Sequence, residues 1–157
     1  MKRFGSSYQL AEGYYELGLY VDAWEQLDKL PVEDLAEADI LSFRLTLLLA
    51  LNRWDDAIAL GVGCCRAFPT REEFFLRTAD ALVRLADYEK ATALLKRAPE
   101  SLSAQAEYHY MLARCASLAG QVEDAKKALH DCFKRDKFQR QRALDDPDLA
   151  AVWNALG

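Results

Sequence analysis

Leu17-Gly18-Leu19-Tyr20-Val21-Asp22-Ala23 is the stretch that decides the fold, because its last residue begins a ladder that runs the length of the chain. Ala23, Ala57, Ala91 and Ala125 succeed one another at a constant spacing of 34 residues. The residues in front of them recur as well: Tyr20-Val21-Asp22, Trp54-Asp55-Asp56, Tyr88-Glu89-Lys90 and Val122-Glu123-Asp124. A fixed period of this length marks a stack of helix-turn-helix units, each too small to bury its apolar face alone. An alanine at the crossing point of two helices lets them approach closely. A larger side chain there would overpack at a cost of about 1–3 kcal/mol, so Ala57→Leu and Ala91→Leu are expected to lower the melting temperature.

Working outward, the first helix is expected to start at Ser6, capped by its hydroxyl with Gln9 reaching back, and to end at Gly18, which can take a left-handed backbone. A second helix, Tyr20 to Leu30, packs back through Ala23, Trp24 and Leu27 and stops at Pro31. The next pair opens after Pro31, runs through an apolar stretch to Leu51, turns at Asn52-Arg53-Trp54 and returns to Ala67. Gly61 and Gly63 inside that return helix each cost roughly 1 kcal/mol against Ala, and close approach of another backbone would offset this. Thr70 with Glu73 is read as the cap of a third pair, with Asp87 capping its second helix and Pro99 ending it. The fourth pair turns at Gly120, and its return helix, Val122 to about Lys134, turns Ala125, Ala128, Leu129, Cys132 and Phe133 inward. Asp146 and Pro147 begin a last helix that carries Leu149, Val152, Trp153 and Leu156, a lid for the open end of a stack.

The prolines break the simple period. Pro31 and Pro99 lie eight residues after their alanines, whereas Pro69 lies twelve after Ala57. The second helices of repeats one and three are therefore expected to be about a turn shorter, and the first helices of repeats two and four longer at their starts. Pro31 and Pro99 are 68 residues apart, as a duplicated two-repeat unit would place them.

The 157 residues are 52% hydrophobic and 29% charged, with seven Gly and four Pro, a balance that fits a packed helical protein and not a disordered one. The net charge of −5 argues against nucleic-acid binding, which needs a basic face. Residues 1–125 hold 13 Lys/Arg against 20 Asp/Glu and residues 126–157 hold 7 against 5, an acidic body with a mildly basic tail. No apolar run is long enough for a membrane span, and Met1-Lys2-Arg3-Phe4-Gly5-Ser6-Ser7 lacks a signal-peptide core, so the expectation is a cytoplasmic protein without a membrane partner. Cys64, Cys65, Cys115 and Cys132 lack metal-ligand spacing and read as small buried residues.

These residues resemble the tetratricopeptide repeat (TPR) family over residues 4 to 137. Leu10, Ala11, Tyr14, Gly18, Tyr20 and Ala23 match its pattern in the first repeat; Leu41, Leu48, Trp54, Ala57 and Pro69 in the second; Phe75, Ala79, Tyr88 and Ala91 in the third; Leu112, Ala113, Gly120 and Ala125 in the fourth. Leu45, Asn52, Ala86 and Val122 depart from it. The resemblance implies an all-α fold, a right-handed superhelical solenoid of about four TPR-like helix-turn-helix repeats (about 4–37, 38–71, 72–105 and 106–137). A C-terminal capping segment, 138–157, completes a single domain over 1–157.

The same resemblance implies a non-enzymatic interaction module that binds a peptide or helix of unknown identity in a concave groove lined by the first helices. Transferred to this chain, the groove takes Tyr8, Glu12, Tyr15 and Glu16; Ser42, Thr46 and Leu49; Leu76, Asp80, Val83 and Arg84; and Tyr110, Arg114 and Ser117. Its wall is read as acidic at the first repeat and more basic toward the last, a fit for a partner with one basic and one acidic end. The bland reading is solvated positions and internal salt bridges. Tyr8 and Glu12 stand where carboxylate-gripping relatives place Lys and Asn, which argues against that activity. A secretion-chaperone-like role and self-association as a homo-oligomer are the alternatives. No cofactor, metal ligand or catalytic residue is expected: His109 and Cys115 are six apart, out of helical register, and adjacent Cys64 and Cys65 diverge on a helix. The run Lys134 to Arg142 reads as a solvated helix end, and Trp24 and Trp153 as packing anchors.

Overall fold

The computed structural model describes residues 4–157; Met1, Lys2 and Arg3 of the opening segment read above lie outside the described residues. Among the described residues it is all α, twelve helices and one 3-10 turn with no strand, and its contacts divide it into two compact units, Met1–Phe68 and Pro69–Gly157.

In the first unit α1 (Ser6–Glu16) packs on α2 (Tyr20–Asp28), a one-turn α3 (Val32–Leu35) comes next, and α4 (Ala38–Ala50) packs on α2 and on α5 (Trp54–Ala67). Its core joins Ala11, Ala23, Leu27, Leu30, Ile40 and Leu47, with Tyr8, Tyr14, Trp24 and Phe43 around it. Trp24 acts as an anchor, with the Arg44 guanidinium 4.9 Å over its ring. In the second unit α6 (Glu72–Arg84) packs on α7 (Tyr88–Leu95), then a one-turn α8 (Glu100–Ser103) precedes α9 (Ala106–Leu118) and α10 (Val122–Arg135). The chain ends with α11 (Gln139–Asp145), a 3-10 turn (Pro147–Leu149) and α12 (Ala150–Leu156).

The 34-residue period is a period of backbone geometry. Gly18, Asn52, Ala86 and Gly120 have φ of 75°, 56°, 59° and 77°, the left-handed conformation that closes a first helix. At each, the next N–H reaches back five residues, as Leu19 N to Tyr14 O (2.9 Å) and Asp87 N to Leu82 O (2.9 Å). Asn52 tolerates this backbone better than most residues; Ala86 carries its full strain. All four ladder alanines are completely buried.

The early prolines act as expected on the second helices, since α2 and α7 have nine and eight residues against fourteen for α5 and α10. The first helices of repeats two and four are not lengthened: α4 and α9 have thirteen residues, like α6. The spare residues form the separate turns α3 and α8, each entered from its proline and left through an extended residue, Glu37 (ψ 138°) or Gln105 (ψ 147°). Leu102 on α8 is completely buried, and Leu35 on α3 packs partly buried against the first core. Element boundaries consequently recur at 68 residues: Val32 and Glu100, Ala38 and Ala106, Trp54 and Val122.

Two expected caps are not formed. Gly5 and Arg71 are the N-cap residues of α1 and α6, without side-chain cap bonds, and Arg71 Nε donates instead to Glu73 Oε1 at 2.8 Å. Asp87 does cap α7 through Lys90 N, and Asp146 accepts from Asp148 N at 2.9 Å at the start of the 3-10 turn. Gly61 is buried, but a Cβ at Gly63 would meet nothing within 4 Å, so close backbone approach does not account for Gly63. The C-terminal lid forms through Leu149 and Val152, fully buried against Tyr110, Ala113, Ala125 and Leu129, while Leu156 stays exposed. Trp153 anchors it by donating Nε1–H to Ala143 O at 2.9 Å.

Candidate functional site

The fourteen residues expected to line a groove lie on α1, α4, α6 and α9, seven in each unit. In the first unit Tyr8, Glu12, Tyr15 and Glu16 recur on α1 at helical spacing, so they share one face. With Phe43 of α4 they wall an open cleft of about 260 Å³. The walls are aromatic: the Phe43 ring meets Tyr8 edge-on at 5.7 Å and Tyr15 at 5.8 Å. Burial, then the charges of Glu12 and Asp39 and a hydrogen bond to Glu12, hold the Tyr8 hydroxyl above its ordinary pKa, so it remains a donor to the Glu12 carboxylate. Ser42, Thr46 and Leu49 are half-buried on α4, and Thr46 Oγ1 is satisfied by Ser42 O at 3.0 Å. Sequence alone does not single out Phe43, because it looks like one more member of an apolar run; its position next to Ser42 is the available signal.

In the second unit Leu76 and Asp80 are half-buried on α6, Arg84 is exposed, and Val83 and Ser117 are buried. Tyr110 is wholly buried and presents no surface to a partner. Its hydroxyl donates to Asp146 Oδ2 at 2.7 Å, and burial followed by that bond raises its pKa strongly. The Arg142 guanidinium lies 3.9 Å over its ring and is held by Glu107, with Nη1 to Oε2 at 2.6 Å and Nη2 to Oε1 at 3.3 Å.

Arg114 is equally engaged. It donates through Nε and Nη2 to Asp148 Oδ2 at 3.0 and 2.6 Å, with Asp146 at 3.8 Å and Asp80 at 3.9 Å. Asp80, Arg114 and Asp148 are themselves 34 residues apart, so the same repeat position forms an acid–base–acid stack. The wall at the fourth repeat is therefore not basic: three carboxylates neutralise its arginine. A cleft of about 380 Å³ lined by Val83, Arg84, Tyr88, Arg114, Leu118, Pro147 and Asp148 remains beside this stack.

The chemistry of the other candidates is plain. Cys115 is completely buried and burial pushes its thiol up to about 11, so it is uncharged near neutral pH and poorly suited to attack. His109 Nε2 lies 2.9 Å from Ser103 O. Among the described residues no group of His, Cys, Asp and Glu could hold a metal ion, and no helix is long and apolar enough to cross a membrane. The basic run is partly spent internally, Arg142 on Glu107 and Arg135 Nη1 on Asp131 O at 2.9 Å.

Residues 48–115 match the tetratricopeptide repeat family model. That segment belongs to the tetratricopeptide repeat family. The fold of the chain is the all-α TPR solenoid, similar to the TPR protein TTC0263 of Thermus thermophilus, with a TM-score of 0.74 at 19% identity over 96% of this chain and 81% of that one. MamA from residue 41 to its end, from Desulfovibrio magneticus RS-1, gives a TM-score of 0.75 at 15% identity over 98% of this chain and 92% of that one. MamA of MSR-1 gives 0.73 at 18% identity, over 85% and 76%. No curated protein matches the sequence. Likenesses at these identities establish the fold; TPR domains as a class bind protein partners, and what this one binds has to be argued from its own residues.

Proposed function

We propose that this protein is a non-enzymatic interaction module of the cytoplasm that takes a peptide or helix against the inner face of its first helices. The observation that carries the reading is the open cleft of Tyr8, Glu12, Tyr15, Glu16 and Phe43: rigid aromatic walls supply contact area at low entropic cost, and carboxylates at the rim select charge. Within the first unit Ser42, Thr46 and Leu49 extend the contact surface; in the second unit Leu76, Asp80 and Arg84 are the candidate contacts. The partner's acidic end, expected from a basic wall at Arg114, is dropped, because Asp146 and Asp148 already neutralise that arginine.

The test is selection of 12-residue peptides from a random display library on the full chain, with affinity then measured on variants. The reading requires that Tyr15→Ala combined with Arg84→Ala weakens the selected peptides at least tenfold with helicity unchanged. Peptides that bind this variant as tightly as the parent would sink it.

A second reading, self-association, is favoured by the exposure of Leu10, Leu17 and Val21 on the first helix pair, 52%, 74% and 58%. Light scattering decides it, since a mass that stays monomeric up to high protein concentration excludes it.

A further inference from the structure

The first and fourth repeats place a tyrosine at the same position. Tyr8 and Tyr110 are three periods of 34 residues apart, and each stands early on the first helix of its repeat. In the fourth repeat the ring carries a guanidinium of the chain itself: Arg142 stacks 3.9 Å from the Tyr110 centroid while Glu107 grips both of its terminal nitrogens. In the first repeat Tyr8 is half-buried, and its ring borders the cleft with Tyr15 and Phe43. Four residues further on, where the fourth repeat has Arg114 after Tyr110, the first repeat has Glu12, with Glu16 one turn later. Among the described residues no cation lines this cleft.

Resting on the reading of the inner face as the binding surface, we infer that the cleft of Tyr8, Glu12, Tyr15, Glu16 and Phe43 receives an arginine side chain of the partner peptide. The guanidinium stacks on the tyrosines and pairs with Glu12 and Glu16, as Arg142 does on Tyr110 and Glu107. Three features carry the assignment. The cleft, about 260 Å³, lies below the volume of ordinary small-molecule pockets and suits one long side chain. Its electron-rich ring faces and two carboxylates offer a cation complementary charge from several directions. A planar guanidinium can stack and donate in a fork at once, which an ammonium cannot, so arginine is preferred to lysine.

The experiment is a titration of the isotope-labelled full chain, monitored by amide NMR, with N-acetyl-arginine amide and, separately, with N-acetyl-citrulline amide, the neutral near-isostere. The expected result is shifts confined to the neighbourhood of Tyr8, Glu12, Tyr15, Glu16 and Phe43, with the arginine probe binding at least about tenfold more tightly than citrulline and more weakly as salt rises. Glu12→Gln with Glu16→Gln, both exposed positions, removes the arginine response and leaves the rest of the spectrum in place. Equal responses to the two probes, an unchanged response in the double variant, or shifts spread elsewhere overturn the assignment. In that case the inner-face reading still stands or falls separately, on whether the display-selected peptides lose affinity with Tyr15→Ala and Arg84→Ala.

Discussion

The first and fourth repeats use one backbone frame for opposite ends. Both place a tyrosine and, one turn later, a charged residue on the first helix: Tyr8 and Glu12 in one, Tyr110 and Arg114 in the other. In the fourth repeat the C-terminal segment lies on that face, so Tyr110 and Arg114 become an internal network with Asp146, Asp148 and Arg142. In the first repeat the corresponding side chains border an open cleft. A TPR position is thus neither a binding residue nor a structural one by nature. The segment that comes after it in the chain decides, because a face covered by its own tail has spent its hydrogen bonds and charges.

This difference can be broken from either side. The largest expected effect is Leu149→Ala, which removes a fully buried side chain from the lid and should destabilise the second unit by about 2–5 kcal/mol in urea unfolding. Next is Arg114→Ala, which leaves Asp80, Asp146 and Asp148 facing one another in a partly buried setting. About 2–4 kcal/mol should be lost, whereas Glu12→Ala in the first repeat should change stability by less than about 0.5 kcal/mol. Equal effects at the two positions would remove the distinction between a spent face and an open one. Overpacking the helix crossings by Ala57→Leu or Ala91→Leu should cost about 1–3 kcal/mol in both units alike, since both alanines are completely buried.

The smallest effects concern the backbone. Ala86 sits at φ 59° where Gly18 and Gly120 take the same conformation without penalty, so Ala86→Gly should stabilise by about 1 kcal/mol and raise the melting temperature. Gly63→Ala should stabilise by a similar ~1 kcal/mol, because the new methyl group meets open space in the middle of a helix. An unchanged or lower melting point in either variant would mean that the local geometry is not what holds these turns and helices.

Much of the architecture could be read from residues whose preference is local. The alanine ladder, Gly18 and Gly120, Asp87, and Asp146 followed by Pro147 each signal a turn or cap through their own backbone or side chain, and the structure has these turns and caps. The one-turn helices α3 and α8 were not legible, since Pro31 and Pro99 license a helix start without saying where the next extended residue will interrupt it. Ser6 and Thr70 show the converse: a capping pattern is satisfied in sequence, yet the helix begins at a neighbour.

The candidate residues of the first repeat border one open cleft, whereas Tyr110 of the fourth is covered. Nothing local to Tyr110 or Arg114 announces that residues 32 to 36 positions later will cover them. The period could have warned of it, because Asp148 stands one repeat after Arg114, as Arg114 stands one repeat after Asp80.

Tyrosine labelling by N-acetylimidazole, read by mass spectrometry with and without a display-selected peptide, tests the central contrast most directly. The account predicts that Tyr15 is modified in the free protein and protected by the peptide, while Tyr110 is unreactive in both and becomes reactive in Leu149→Ala. Labelling of Tyr110 in the parent as fast as Tyr15, or a bound peptide that leaves Tyr15 unprotected, would contradict it.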